Sequence, residues 1–200
     1  MEREVILTGI GGQGIQLAAQ VLARAAVRDG REVMMLGTYG GTMRGGNTDA
    51  TVVVGDGPID SPPVISSTWS VVAMHPHSWD SISARLRPGG VALRNASVFG
   101  EPVGQPVEQS DWEQFEVAAG DLATGLGAPM AGSMVMLGAF AGLTGMVGLA
   151  ALDAALEESI PSYRTQHLEV NRKALRAGFE AVPEGAVPAW NGERAAGASS

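Results

Sequence analysis

The chain has no cysteine in its 200 residues, and that absence removes three chemistries at once. It can form no disulfide framework, ligate no iron–sulfur cluster through thiolates and offer no thiol nucleophile. If it serves electron transfer, another subunit holds the metal. Positive charge is also scarce: 13 lysines and arginines stand against 21 acids, for a net charge of −8. That balance argues against a nucleic-acid groove. Aromatic residues make up only 5%. The first residues carry charge and run straight into a strand pattern, without the apolar stretch and small-residue cleavage site of a secretory signal. The expected location is therefore the cytoplasm. With 45% hydrophobic residues, the composition suits one sizeable α/β domain with its own core.

Glycine is what the chain has in abundance, 28 in all. The stretch Glu4-Val5-Ile6-Leu7-Thr8-Gly9-Ile10-Gly11-Gly12-Gln13-Gly14-Ile15 organises the reading. A short apolar strand ends in Gly9-x-Gly11-x-x-Gly14, and an alanine-rich helix follows. This spacing suits a strand–turn–helix unit that brings backbone amides close to a phosphate. The first glycine allows the tight turn, the second admits the ligand, and the third lets helix and strand pack closely. The helix then presents unpaired N–H groups and the positive end of its dipole to an anion. The same spacing also serves a merely structural turn, and the motif alone leaves both readings open.

Along the chain, Val5–Thr8 reads as a buried strand and Ile15–Arg28 as a helix stopped by Asp29-Gly30. Glu32–Leu36 reads as a second strand that completes a right-handed βαβ unit. A nicotinamide site would place an acid at the end of that strand, where this chain has Leu36-Gly37-Thr38. A second glycine-rich loop follows, containing Tyr39, Gly40, Gly41, Arg44, Gly45, Gly46 and Asn47, and leads into a strand over Ala50–Val54. Arg44 offers a planar fork suited to phosphate or carboxylate. The alternative is an exposed loop with Arg44 in a surface ion pair.

The middle of the chain is less informative. Asp56–Pro63 reads as a linker and Trp69–Met74 as a buried strand. Ser78 is placed to cap a short helix through Leu86. His75 and His77 stand two apart, but no third ligand is near, which favours hydrogen-bonding loop histidines over a metal site. Pro88-Gly89-Gly90 reads as a turn into a strand over Val91–Arg94, and Asp111–Phe115 as a surface connection.

From Leu122 to Leu152 there is no charged residue. The run is long enough to span a bilayer. Seven glycines between 125 and 148 break it up, and Asp121 and Asp153 flank it without a basic cluster, so no membrane span is expected. A helix over about Ala131–Leu143 is expected instead, apolar on nearly every side. Either the chain's own core encloses it or, as the preferred expectation, a permanent partner covers one side. Gly138 and Gly142 would allow close helix contact. Met130, Met134, Met136 and Met146 can fill irregular gaps. Two more helices, Gly148–Glu158 and Ser162–Val182, are divided by Pro161. His167, at the start of the second, reads as a surface or capping residue. Residues 1–182 thus form one domain, and 183–200 an Ala/Gly/Pro/Ser-rich tail, disordered or wrapped on a neighbour.

These residues resemble a family. Gly-Ile-Gly-Gly-Gln-Gly at 9–14, then Tyr39-Gly40, Arg44-Gly45-Gly46, Arg87-Pro88-Gly89-Gly90 and Met134-Val135-Met136-Leu137-Gly138 are similar to the gamma subunit or domain of 2-oxoacid:acceptor (ferredoxin) oxidoreductases. The likeness covers roughly residues 4–180. Where the family commonly has an asparagine before the Met-Val-Met-Leu-Gly run, this chain has Ser133, so the resemblance carries no ligand role to that position. It implies an α/β, three-layer Rossmann-like fold with a mostly parallel or mixed sheet and helices on both faces. It also implies a non-catalytic subunit that assembles with alpha and beta thiamine-binding subunits and a ferredoxin-like iron–sulfur subunit. Thiamine diphosphate, magnesium and the clusters would sit on those partners. The gamma part would lie near the route of coenzyme A, with Gly9, Gly11, Gly12, Gln13, Gly14, Tyr39, Gly40, Arg44, Gly45, Gly46 and Asn47 as the contact residues. No metal site and no catalytic residue are assigned to this chain. A free-standing nucleotide-binding oxidoreductase and a purely architectural subunit remain as alternatives.

Overall fold

A computed structural model of the chain describes residues 1–39, 46–60, 64–100 and 111–190, with backbone only at 38–39 and 162–164. Among these residues one sheet holds six strands: β1 (Glu2–Ile10), β2 (Glu32–Tyr39), β3 (Asn47–Gly55), β4 (Thr68–Ala73), β5 (Leu86–Asn95) and β6 (Glu113–Val117). Their order is β2-β3-β1-β4-β5-β6. The pairs β1–β4, β4–β5 and β5–β6 are parallel, while β3 pairs antiparallel with both β1 and β2. The sheet is therefore mixed.

The expected βαβ unit needs one correction. Helix α1 (Ile15–Arg28) does lead from β1 to β2, but β3 is inserted between these two strands. Only seven residues separate the last residue of β2 from the first of β3. A connection that short returns the chain antiparallel, because a parallel neighbour needs a crossover of a dozen residues or more.

Period-two alternation sorts the strands onto two faces. Val5 and Leu7 of β1, Val52 and Val54 of β3, Val72 of β4 and Leu93 of β5 pack with α1, α4 (Ala119–Gly125), α5 (Gly132–Thr144), α6 (Leu149–Ser159) and α7 (Leu168–Glu180). Ile6, Val71 and Ala73 face the other way. There they meet Ile82 of the short helix α2 (Trp79–Ser83) and half-buried Trp79, Leu86 and Phe99, the last from α3 (Ala96–Phe99). Helices cover both faces, but unequally. At the β2 edge, Met34 and Leu36 alternate with the core-facing Val33 and Met35 and remain 41% and 38% exposed.

All thirteen residues of α5 are buried. The expectation of a partner-covered side is overturned, because the chain's own α7 lies across it. A Cβ at Gly138 would stand 1.9 Å from the Leu175 carbonyl oxygen, and one at Gly178 would stand 1.8 Å from that of Val135. The glycine stripe is thus used inside the fold, where two helix backbones touch. At about 1.5 Å per residue, 13 residues reach only about 20 Å, short of a bilayer's hydrocarbon core. No helix among the described residues is long and apolar enough to cross a membrane.

Three other expectations shift. The segment read as a surface connection overlaps the first three residues of β6, an edge strand paired parallel to β5. Pro88-Gly89-Gly90 lies within β5 at an irregularity of register, with a Cβ at Gly90 only 2.5 Å from the Trp69 carbonyl oxygen. Residues 183–190, expected within the tail, lie along the end of α5. The amides of Gly185, Val187 and Ala189 donate to the carbonyls of Gly142, Leu143 and Thr144. Trp190 donates from Nε1 to the Met146 carbonyl and stacks under Arg31 at 3.8 Å, which gives the segment an apolar anchor. Residues 191–200 lie outside the described residues.

Candidate functional site

The site is built where β1 and β4 end. The helix after β1 lies on one face of the sheet and the short helix after β4 lies on the other. The carboxyl ends of these two parallel neighbours thus mark a topological switch point, the place where open α/β sheets bind ligands.

The glycine turn occupies this edge. Gln13 folds back over Gly9, and its Oε1 accepts from the Ile10 amide at 2.9 Å. A Cβ at Gly9 would lie 2.5 Å from that oxygen, so this glycine is needed by the turn's own side chain. The Gln13 amide donates to the Ile10 carbonyl, and the Gly11 amide donates to the Gly46 carbonyl at 2.9 Å. The last contact ties the two glycine-rich loops together. The first half of the turn is therefore satisfied from within.

The second half is open. Gly12 and Gly14 have φ values of +101° and +78°, a region where side-chain-bearing residues are strained. Gly14 is the N-cap of α1 and has no side chain to offer its amides. Among the described residues nothing accepts from the N–H groups of Ile15, Gln16 and Leu17, and the first turn holds no acid. The Ser133 hydroxyl, at the start of α5, lies against Gly14, 2.7 Å from the place of a Cβ there.

Beside the turn runs a chain of polar contacts. Thr8 Oγ1 donates to Asp49 Oδ1 at 2.6 Å, and Asn47 Nδ2 donates to Asp49 Oδ2 at 2.7 Å. Ser78 Oγ donates in turn to Asn47 Oδ1 at 2.7 Å. Both ends of the Asn47 amide are thus engaged by protein. Ser78 stands before α2 as expected, yet its hydroxyl serves Asn47 and makes no cap. Gln16 donates to the Asp49 carbonyl and fills the space against Gly37, where a Cβ would be 2.3 Å from its Oε1. The expected nicotinamide acid would have stood near there, so α1 closes the position with an amide side chain. His75 Nδ1 accepts from the His77 amide, which makes the pair a local turn. Among the described residues no group of three or more His, Asp or Glu is placed to hold a metal. His167 is exposed and accepts through its carbonyl from Asn171 at the start of α7.

Of the residues expected at the site, Gly9 to Gly14, Gly46 and Asn47 come together here. Tyr39 ends β2 opposite Thr48, and Gly40, Arg44 and Gly45 lie outside the described residues. Sequence reasoning missed Thr8, Asp49 and Ser133 as members of this edge. It also missed Asn95, whose Oδ1 accepts from Ser97, Ala119 and Gly120 and so caps α3 and α4. An Asn directly before a helix was the available signal for the last. A separate groove, lined by Ala23, Val27, Val33 and Met35, is roofed by Arg24 and Arg28, both committed to Glu158.

Comparison with known proteins places the chain. The family described as pyruvate ferredoxin/flavodoxin oxidoreductase matches residues 4–181. The 2-oxoglutarate synthase subunit KorC of Methanocaldococcus jannaschii is 31% identical over 186 residues, covering 92% of this chain and 96% of that protein. The crystal structure of the keto/oxoacid ferredoxin oxidoreductase gamma subunit from Geobacter sulfurreducens superposes with a TM-score of 0.74 at 29% identity, covering 90% of this chain and 96% of that one. The pyruvate oxidoreductase subunit PORC of Thermotoga maritima gives 0.70 at 25% identity, over 90% and 96%. The match over residues 4–181, the mixed sheet and the glycine turn agree, and the chain belongs to the pyruvate ferredoxin/flavodoxin oxidoreductase family, similar over about nine-tenths of its length to gamma-type subunits.

Proposed function

We propose that this chain is the gamma subunit of a thiamine-diphosphate-dependent 2-oxoacid:acceptor oxidoreductase in the cytoplasm. The complex decarboxylates a 2-oxoacid oxidatively to an acyl-coenzyme A and passes the electrons to iron–sulfur clusters. Alpha and beta subunits carry thiamine diphosphate and magnesium, and a ferredoxin-like subunit carries the clusters. The observation that carries this reading is the near-complete correspondence, residues 4–181, with a family of such enzymes in a chain that has no cysteine of its own. Such a chain contributes surface and main-chain donors, while its companions supply the reactive groups.

The contact with coenzyme A falls to the two glycine loops. Arg44 meets a phosphate as a bidentate donor, and the amides at the start of α1 meet another anionic oxygen. Removing that fork by Arg44→Ala weakens the dependence on free coenzyme A and leaves decarboxylation in place. An unchanged coenzyme A dependence in the assembled enzyme removes this assignment.

The architectural reading has one observation in its favour. Gln13, Gly46 and Asn47 use their polar groups on the protein itself. Calorimetry with coenzyme A separates the two, since a purely architectural chain gives no heat and no protection at the loops.

A further inference from the structure

The sheet has two edges, and the chain protects only one of them. The β6 edge is five residues long and carries Glu113 and Glu116. Shortness and charge are two of the devices that keep an edge strand from pairing with another chain. The β2 edge has neither. It is eight residues long, its register with β3 runs unbroken, and from Val33 to Tyr39 it has no charge and no proline. Among the described residues no strand pairs with its outer side.

Both faces of this edge are apolar. Met34 and Leu36 are exposed on one of them. On the helix side a groove of about 520 Å³ runs between α1 and β2, lined by Ala23, exposed Val27, Val33 and Met35. The charges there balance. Arg24 and Arg28 stand against Glu158 on the groove and Glu32 on the strand, although the whole chain carries −8. Two copies can therefore meet at this edge without the acidic repulsion that the rest of the surface would bring.

We propose that β2 pairs antiparallel with β2 of a second copy of this chain, about a two-fold axis at Met35. In that register Met34 of one copy stands opposite Leu36 of the other, Val33 opposite Gly37, and Met35 opposite itself. Centring on Met34 sets Leu36 against Glu32, and centring on Leu36 sets Met34 against Thr38. Only the Met35 centre covers the two exposed residues with each other. On the helix side the two Met35 side chains meet beside the groove, and methionine adapts to irregular gaps. The interface is isologous and closes at two copies, joining two six-stranded sheets into one. Residues 191–200 follow Trp190, which stacks on Arg31 just before β2, but they contain no large apolar residue to cover Met34 and Leu36. The pairing does not depend on the coenzyme A reading.

The test is sedimentation of the full 200-residue chain over a range of concentrations. A dimer is expected, and Leu36→Lys, at an exposed position, weakens its association tenfold or more while the thermal unfolding midpoint holds. Because the chain has no cysteine, a single introduced thiol reports the register. Residues directly opposite in an antiparallel pair have Cα atoms roughly 4.5–5.5 Å apart, within reach of a disulfide. Mild oxidation should join Met35→Cys chains at least tenfold faster than Met34→Cys chains, whose thiols are offset. If Met35→Cys unfolds, a mixture of Met34→Cys and Leu36→Cys chains, both altered at exposed positions, reads the same register. A dimer indifferent to Leu36→Lys overturns the proposal, and so do equal cross-linking rates. A monomer at every concentration overturns it as well. If that monomer dimerises once 191–200 are removed, the tail holds the edge; if Leu36→Lys instead loses co-elution with partner subunits, a partner's strand holds it.

Discussion

Two helix N-termini at the same edge of the sheet are treated in opposite ways. At α4, Asn95 accepts from Ala119 and Gly120, and Ser97 accepts from the Asp121 amide while its hydroxyl bonds the Asp121 carboxylate. At α1, the N-cap is a glycine, the first turn has no acid, and the three leading amides have no acceptor among the described residues. The first arrangement closes a helix with the chain's own side chains. The second leaves donors and a positive dipole without a partner among the described residues. The contrast separates what the fold needs from what it holds ready for another molecule, and four substitutions probe it.

The largest effect is expected at the helix crossing that sets where α5, and hence Ser133, stands. Gly138→Ala drives a methyl into the Leu175 carbonyl and should destabilise by about 3 kcal/mol or more in denaturant unfolding. Little change in the unfolding midpoint would mean that the crossing is looser than described. Next is Asn95→Ala, which strips an acceptor from three amides and should cost about 2 kcal/mol, with faster hydrogen exchange at Ala119 and Gly120. Exchange rates left as they are would erase the difference between the two N-termini.

Gln13→Ala should cost about 1 kcal/mol, because only the Ile10 amide loses its acceptor. Exchange at Ile10 should quicken while that at Gln16 and Leu17 stays put. A joint change at all three would show that the two halves of the turn are one unit. The smallest effect on stability belongs to Ser133→Ala, within about 0.5 kcal/mol, since the hydroxyl has no hydrogen-bond partner to lose among the described residues. A large loss would mean that Ser133 serves the fold and would tie it to the first region of the comparison.

The sequence disclosed the parts governed by local rules. Helix α1 begins at Ile15 and ends at Arg28 as its spacing requires, with Gly14 before it and Asp29-Gly30 after it. The glycine turn, the uncharged helix and the family likeness were all readable from the motifs. Contacts between distant segments were not. Nothing in Asn47–Gly55 says that β3 pairs antiparallel with β1, since a buried strand reads the same in either direction. The apolar circumference of α5 signalled full burial but could not say whose residues enclose it, and α7 does so through Gly178. Ser133 looked like a departure from a family pattern. Only the folded chain places its hydroxyl, from more than a hundred residues away, on the N-cap of α1.

The most direct measurement of the central claim is reconstitution. The proposed alpha, beta and ferredoxin-like partners are purified together with and without this chain, and reduction of a low-potential acceptor is followed with a 2-oxoacid and coenzyme A. The account predicts that this chain co-elutes with the others in fixed proportion, that coenzyme A-dependent turnover requires it, and that alone it oxidises nothing. Full turnover in its absence, or 2-oxoacid oxidation by the isolated chain, would contradict it.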